Sequence, residues 1–190
     1  MPKSSTGRLQ RRCALTDCPL LSPLIVTLQL DAASQDYFDA LRTAYFPPAI
    51  NHLKAHMTLF HNLPGGEQQA VLETLAREAA RRAPFPLIVA GLMKLGRGTA
   101  FRLESEALLS LRAALAAAFG PWLTQQDREK FRPHVTVQNK VSPAQAGALF
   151  DHLSQGFSPF EAVAEGLQLW RYQGGPWAPL AAVGFQGGAR

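Results

Sequence analysis

Two four-residue phrases, His56-Met57-Thr58-Leu59 and His134-Val135-Thr136-Val137, repeat one pattern of imidazole, apolar residue, hydroxyl and apolar residue in a chain with only five histidines. Histidine gives and takes a proton near pH 7 more readily than any other side chain. Two imidazoles converging on one group can divide a displacement reaction: one removes a proton from an attacking water, and the other, as imidazolium, protonates the leaving oxygen. In an extended strand alternate side chains share a face, so each histidine stands beside a threonine about 7 Å further along. Those hydroxyls can donate hydrogen bonds to a phosphate held between them, and such bonds count most as charge develops. In-line attack at phosphorus needs groups on both sides of the phosphate, which two facing strands would supply. The scheme requires no metal ion and no cofactor.

The same alternation puts Phe60 on the face of His56 and Thr58, placed either to stack on a base or to close the groove floor, and turns His61 the other way. In the second strand Gln138 shares the face of His134 and Thr136. Arg132, two residues before His134, is a candidate for neutralising phosphate charge, and Arg102 and Arg171 are further basic candidates. Arg171 points away from the face that Trp170 and Tyr172 share. His52 falls in a loop and His152 on a helix surface.

The elements that must carry these residues follow from pattern and punctuation. Residues 23–31 are apolar and β-branched, a strand. Residues 33–48 form a helix capped by Ser34 and stopped by Pro47-Pro48. A strand over 55–63 holds the first motif, a helix spans 67–83, and strands 85–96 and 99–105 are joined by a tight Gly-Arg-Gly turn. A helix over 106–122, a strand over 134–141 with the second motif, a helix over 142–157 capped by Ser142 with Pro143 in its first turn, and strands over 160–174 and 179–186 complete the chain. Each motif strand is thus preceded by a helix and followed by a helix and a strand pair. His56 and His134 lie 78 positions apart, so the unit repeats at about 80 residues. That is too long for a solenoid and points to an internally duplicated α+β domain whose halves face each other across a groove.

Composition narrows the partners. The chain has 190 residues, 47% hydrophobic and 17% charged, which fits a globular domain or two small lobes sharing a core. A net charge of +5 and a pI near 9.6 favour an anionic ligand. Residues 1–20 are polar, basic and aperiodic, with Arg8, Arg11 and Arg12. They are expected to form a flexible tail ahead of a single bilobal domain over 21–190. Cys13 and Cys18 in that tail make neither a metal site nor a structural disulfide and read as incidental thiols. No apolar run is long enough to span a bilayer. The stretch 20–30 after Arg11-Arg12 only mimics a signal peptide, so the expected location is cytoplasmic. No nucleotide-triphosphate loop is present, which argues against an ATP-driven reaction. A zinc hydrolase would need three clustered ligands, and no Asp or Glu shares the histidine faces.

The two His-x-Thr-x phrases, at this spacing and in this repeated context, resemble the 2H phosphoesterase superfamily, and within it the bacterial 2′-5′ RNA ligase-like proteins that include RNA 2′,3′-cyclic phosphodiesterases. The resemblance covers about residues 23–187. It implies a bilobal fold with two antiparallel sheets flanking a central groove and helices on the outer faces. It implies metal-independent chemistry at 2′,3′-cyclic or 2′-5′ phosphates of RNA or nucleotides, with ligation as the reverse reaction. His56 and His134 become the acid/base pair, with the roles of the two unassigned, and Thr58 and Thr136 the phosphate-holding hydroxyls. The expected partner is an RNA end or a nucleotide bound by a monomer. A cyclic phosphate of an ADP-ribose-type metabolite, or a non-catalytic RNA-binding module that keeps the groove, are the alternatives.

Overall fold

The computed structural model describes residues 21–187; the basic segment 1–20, with both cysteines, lies outside the described residues. Among the described residues, seven strands and five α-helices follow one another as β1 (Leu24–Leu30), α1 (Ala32–Tyr45), β2 (Met57–Leu63), α2 (Gln68–Ala80), β3 (Phe85–Lys94), β4 (Thr99–Glu104), α3 (Glu106–Ala118), α4 (Gln125–Arg128), β5 (His134–Gln138), α5 (Pro143–Gln155), β6 (Phe160–Tyr172) and β7 (Trp177–Gly184). Every strand pairing is antiparallel, and the class is α+β as expected. Helix α4 has no counterpart in the sequence reading, because four residues are too few to establish a helical period.

Two local details decide where helices begin. Asp31, not Ser34, caps α1: its Oδ1 accepts the Ser34 amide at 2.9 Å. Asp and Ser are equivalent caps, and Asp31 sits where the strand has already ended, so the helix starts a turn earlier than Ser34 would start it. The Asp31 Oδ2 also accepts the Val163 amide at 2.8 Å, tying the cap to the sheet. Ser142 caps α5 as expected, in a capping box with Gln145 and with Pro143 at the first position.

The two halves are not separate sheets. The strand order is β2-β1-β6-β3-β4-β5, and β7 also pairs with β6. The 13-residue β6 is long enough to serve both: its first part, 160–164, pairs with β3, while its later part lies between β1 and β7. Hydrogen bonding therefore runs through all seven strands. The sheet curls so that β2 and β5, at the ends of that order, come side by side.

Helices cross between halves. Helix α1, which precedes the first motif strand, packs against β5, where its Tyr37 and Phe38 meet Phe101 of β4 and Phe160 of β6 edge-on or tilted at 5.1–6.3 Å between centroids. Helix α3, which precedes the second motif strand, packs against α2 of the first half, and Phe119 just beyond it meets Phe60 of β2 at 5.2 Å. One continuous core joins residues of both halves, from Leu24, Val26 and Leu28 to Leu103, Val135 and Val137.

Candidate functional site

His56 immediately precedes β2 and His134 opens β5. Their surroundings are built alike. The Nδ1 of His56 lies 2.8 Å from the Lys54 carbonyl, and the Nδ1 of His134 lies 2.7 Å from the Arg132 carbonyl. A carbonyl only accepts, so each Nδ1 carries the hydrogen and each Nε2 keeps its lone pair when the ring is neutral. The same bond to the carbonyl two residues back aims both imidazoles. The segment before His56 is held by α1: Asp39 accepts the Ala55 amide at 2.7 Å, and Gln35 donates to the Ala55 carbonyl at 2.8 Å. The segment before His134 is held by β4, whose Leu103 amide donates to the Pro133 carbonyl at 3.0 Å.

Each motif strand then carries a bulge just after its threonine. On β1 the step from Thr27 to Val26 is one residue, while on β2 the partner moves two, from Thr58 to Phe60. On β4 the step from Ala100 to Thr99 is one residue, while on β5 the partner moves from Thr136 to Gln138. A bulge breaks the alternation of faces. Leu59 and Phe60 are consecutive and both buried, as are Val137 and Gln138. This overturns the placement of Phe60 and Gln138 beside the histidines. Phe60 is wholly inaccessible, packed on Phe119 and under the Arg112 guanidinium at 3.8 Å, with no face for a base. His56, Thr58, His134 and Thr136 remain partly accessible.

Two buried arginines clamp the motif strands. Arg42 of α1 donates through NH1 to the Thr136 carbonyl of β5 at 3.0 Å, and through Nε to Asn51 Oδ1 and the Leu53 carbonyl. Arg112 of α3 donates through Nε to the Leu59 carbonyl of β2 at 2.9 Å and through NH2 to the Asp127 carbonyl. Strands β2 and β5 each have one sheet neighbour, so their outer carbonyls need partners from elsewhere. Each guanidinium covers an aromatic ring, Arg42 over Phe46 and Arg112 over Phe60, both at 3.8 Å. Burial lowers both pKa values, Arg42 to about 10, while Asp39 and Asp127 respectively oppose the shift. Neither residue stood out in the sequence. The signal was a buried arginine within an amphipathic helix, in the last turn of α1 and in the middle of α3.

The remaining candidates fall as follows. Arg132 is exposed, and its carbonyl, through His134, belongs to the site. Arg102 lies directly across from His134 in the β4–β5 ladder and pairs with Glu104. Arg171 is buried and bonded to Gln68. His61, expected on the far face, sits beyond the bulge with its ring against Asp127 Oδ1 at 3.2 Å, and Asp127 also accepts the amides of His61 and Asn62. Burial works to raise the Asp127 pKa, but these hydrogen bonds prevail and hold it below the usual carboxylate range. His52 and His152 are exposed. Among the described residues no three His, Cys, Asp or Glu side chains gather as a metal site, and no helix is long and apolar enough to cross a membrane.

Sequence reasoning passed over one neighbour of the first histidine entirely. The Trp177 ring lies 4.6 Å from the His56 ring, centroid to centroid. Desolvation lowers the His56 pKa to about 4; the Lys54 carbonyl opposes this, and the positive charges of Arg42, His134 and His61 add to it. His56 thus feels the charge of His134, and a proton on His134 disfavours one on His56. Each imidazole is tied through Nδ1 to a carbonyl, precedes a partly accessible threonine by two residues, and keeps Nε2 for giving or taking a proton.

The model of the 2′-5′ RNA ligase superfamily matches residues 30–176. An RNA 2′,3′-cyclic phosphodiesterase of Geobacillus stearothermophilus is 33% identical over 110 residues, 54% of this chain and 35% of that protein, so the match spans about a third of the relative's length. Among solved structures, TT0787 of Thermus thermophilus superposes with a TM-score of 0.63 at 20% identity, covering 87% of this chain and 98% of the other. LigT of E. coli, solved with 3′-AMP, superposes with a TM-score of 0.61 at 18% identity over 88% and 99% of the two chains. These two share the fold. With the family model matched over most of its length, the chain belongs to the 2′-5′ RNA ligase superfamily.

Proposed function

We propose that the protein is a metal-independent phosphodiesterase that acts on 2′,3′-cyclic phosphate or 2′-5′ phosphodiester bonds of RNA or nucleotides. The observation that carries this reading is the matched aim of His56 and His134, each with Nδ1 tied to a carbonyl and Nε2 left for chemistry. The activity for which the Geobacillus relative is named supports the substrate class. The depressed pKa of His56 suits it to be the base, and His134 is then the acid. His56 Nε2 takes a proton from water. The water oxygen bonds to phosphorus in line with the departing 3′ oxygen, the P–O3′ bond breaks, and His134 Nε2–H protonates that oxygen. The product is a 2′-phosphate. Thr58 and Thr136 donate to the non-bridging oxygens, where charge grows. The reverse of a related transfer, with an RNA hydroxyl in place of water, is 2′-5′ ligation.

The test is incubation of an oligonucleotide ending in a 2′,3′-cyclic phosphate with the protein in EDTA, with the product identified as a 2′- or a 3′-phosphate. Opening to a 2′-phosphate in EDTA supports the reading. Turnover that disappears in EDTA and returns with a divalent ion overturns its metal independence. Binding without turnover favours a non-catalytic RNA-binding module.

A further inference from the structure

The segment that leads into the second motif is fastened to the strand of the first. Asp127 of α4 is buried, and its carboxylate accepts the His61 amide of β2 at 2.9 Å and the Asn62 amide at 3.1 Å, with the His61 ring Nδ1 at 3.2 Å. Amides of consecutive residues point to opposite edges of a regular strand. These two reach one carboxylate because β2 is irregular a second time: from Leu24 to Val26 β1 moves two residues, while its partner moves three, from Leu63 to Phe60. A buried carboxylate is a costly filler, whereas amides at the outer edge of a strand need an acceptor. Arg112 holds the same residue from behind. It donates to the Asp127 carbonyl at 2.6 Å and the Leu59 carbonyl at 2.9 Å, and its guanidinium lies 5.4 Å from the Phe131 ring centroid. A further tie, the Leu103 amide to the Pro133 carbonyl at 3.0 Å, fixes the far end of the segment on β4. Residues 127–133 thus begin on the first motif strand and end beside the second, and the Arg132 carbonyl within them holds Nδ1 of His134. The first motif's lead-in is fastened the opposite way: Asp39 and Gln35 hold Ala55 on α1, and Arg42 holds Asn51 and Leu53 while reaching Thr136 of β5.

We propose that Asp127 is a positioning residue for His134: it fastens the lead-in of the second motif to the strand of the first, as Arg42 fastens the lead-in of the first to the strand of the second, so each imidazole is placed by the strand that carries the other. The proposal rests on the phosphodiesterase reading above for its effect on rate. Asp127 meets neither histidine of the pair. It acts through the backbone of residues 128–133.

The test measures kcat and KM on adenosine 2′,3′-cyclic phosphate in two variants. Asp127→Asn keeps the shape of the side chain but turns an NH2 toward a donor of β2, so two donors meet. Insertion of one glycine between Glu129 and Lys130, both exposed, leaves every bond of Asp127 in place and only lengthens its connection to His134. Each change should lower kcat, and kcat/KM with it, by about 10- to 100-fold, the cost of misplacing a catalytic group by about 1 Å. Thr124→Ala removes the α4 cap and should lower the unfolding midpoint while kcat stays within about twofold. A fall in kcat in Thr124→Ala as large as in the other two means that rate follows stability alone, and overturns the proposal. An insertion variant with wild-type kcat overturns it as well, whatever Asp127→Asn does. Long-range proton–nitrogen NMR spectra of the histidine rings read the placement without turnover. The Nδ1–H form of His134 should give way to a mixture of tautomers in the insertion variant, while His56 keeps its own; an unchanged His134 signal overturns the proposal. If the wild type opens no cyclic phosphate, the phosphodiesterase reading falls, and the ring spectra alone decide whether Asp127 places His134.

Discussion

Around His56 stands an indole; across from His134 stands a guanidinium. The Trp177 ring covers the first imidazole, whereas Arg102 is the ladder partner of the second. Three features around the two rings are duplicated: the carbonyl two residues back, the bulge after the threonine, and the buried arginine from a crossing helix. Duplication thus supplies the geometry, and the later differences supply the polarity. A symmetric pair would have no reason to place its proton on one member. Desolvation around His56 breaks that tie.

The largest expected effect comes from removing either imidazole. His56→Ala and His134→Ala should each lower kcat by about 10²- to 10⁴-fold, the usual contribution of a positioned acid or base. Initial rates on a cyclic-phosphate substrate measure this, and a loss confined to one variant would mean that the duplicated aim does not make a working pair.

Next in size are the arginine clamps. Arg42→Met and Arg112→Met each leave carbonyls without partners and should each cost at least about 2 kcal/mol in urea unfolding, from two or three lost bonds at about 1 kcal/mol or more per unsatisfied group. Similar losses would confirm the duplication, and a large cost for one alone would break it.

A glycine in each hairpin sharpens the contrast further. A Cβ on Gly98 would lie 2.1 Å from the Gln138 carbonyl oxygen, next to the β5 bulge, whereas a Cβ on Gly175 meets nothing within 4 Å. Gly98→Ala should therefore cost about 1–3 kcal/mol, and Gly175→Ala should stay within about 0.5 kcal/mol, both read from thermal or urea unfolding.

The smallest effect is a displaced pH limb. A base works only unprotonated, and His56 titrates near 4, below the ordinary 6.5. The rise of kcat/KM with pH should accordingly lie near pH 4, with activity lost as pH falls through it. Arg42 contributes to that depression, so Arg42→Met should move the limb to higher pH. Arg112 is not among the causes, and Arg112→Met should leave it in place. A limb that stays near 6.5 in the wild type would remove the polarity of the pair.

The order of elements was legible in the chain because hydrophobic period, caps and Gly/Pro turns agree almost everywhere. The motif histidines were legible because they occur twice. What escaped the reading were features without a local signal. A bulge is set by how two strands meet, and nothing in Thr58-Leu59-Phe60 alone announces it, which is why Phe60 was misplaced. Asp31 and Ser34 compete as caps, and the winner depends on where β1 ends against β6. Arg42 and Arg112 read as ordinary helix arginines until the crossing of α1 and α3 brings them to edge carbonyls in the opposite half. Trp177 is more than a hundred residues from His56 in sequence, and only the β6–β7 hairpin brings it near.

The exchange of α1 and α3 has a consequence for how the protein is made. As the chain leaves the ribosome, α1 emerges with Phe38 bare, because the surface that shelters it includes Phe101 and Phe160, synthesised much later. Neither half can close its own interior in the meantime. Assembly is thus deferred until nearly the whole chain is available, and a nascent or truncated chain exposes sticky aromatic surface that invites chaperones or aggregation.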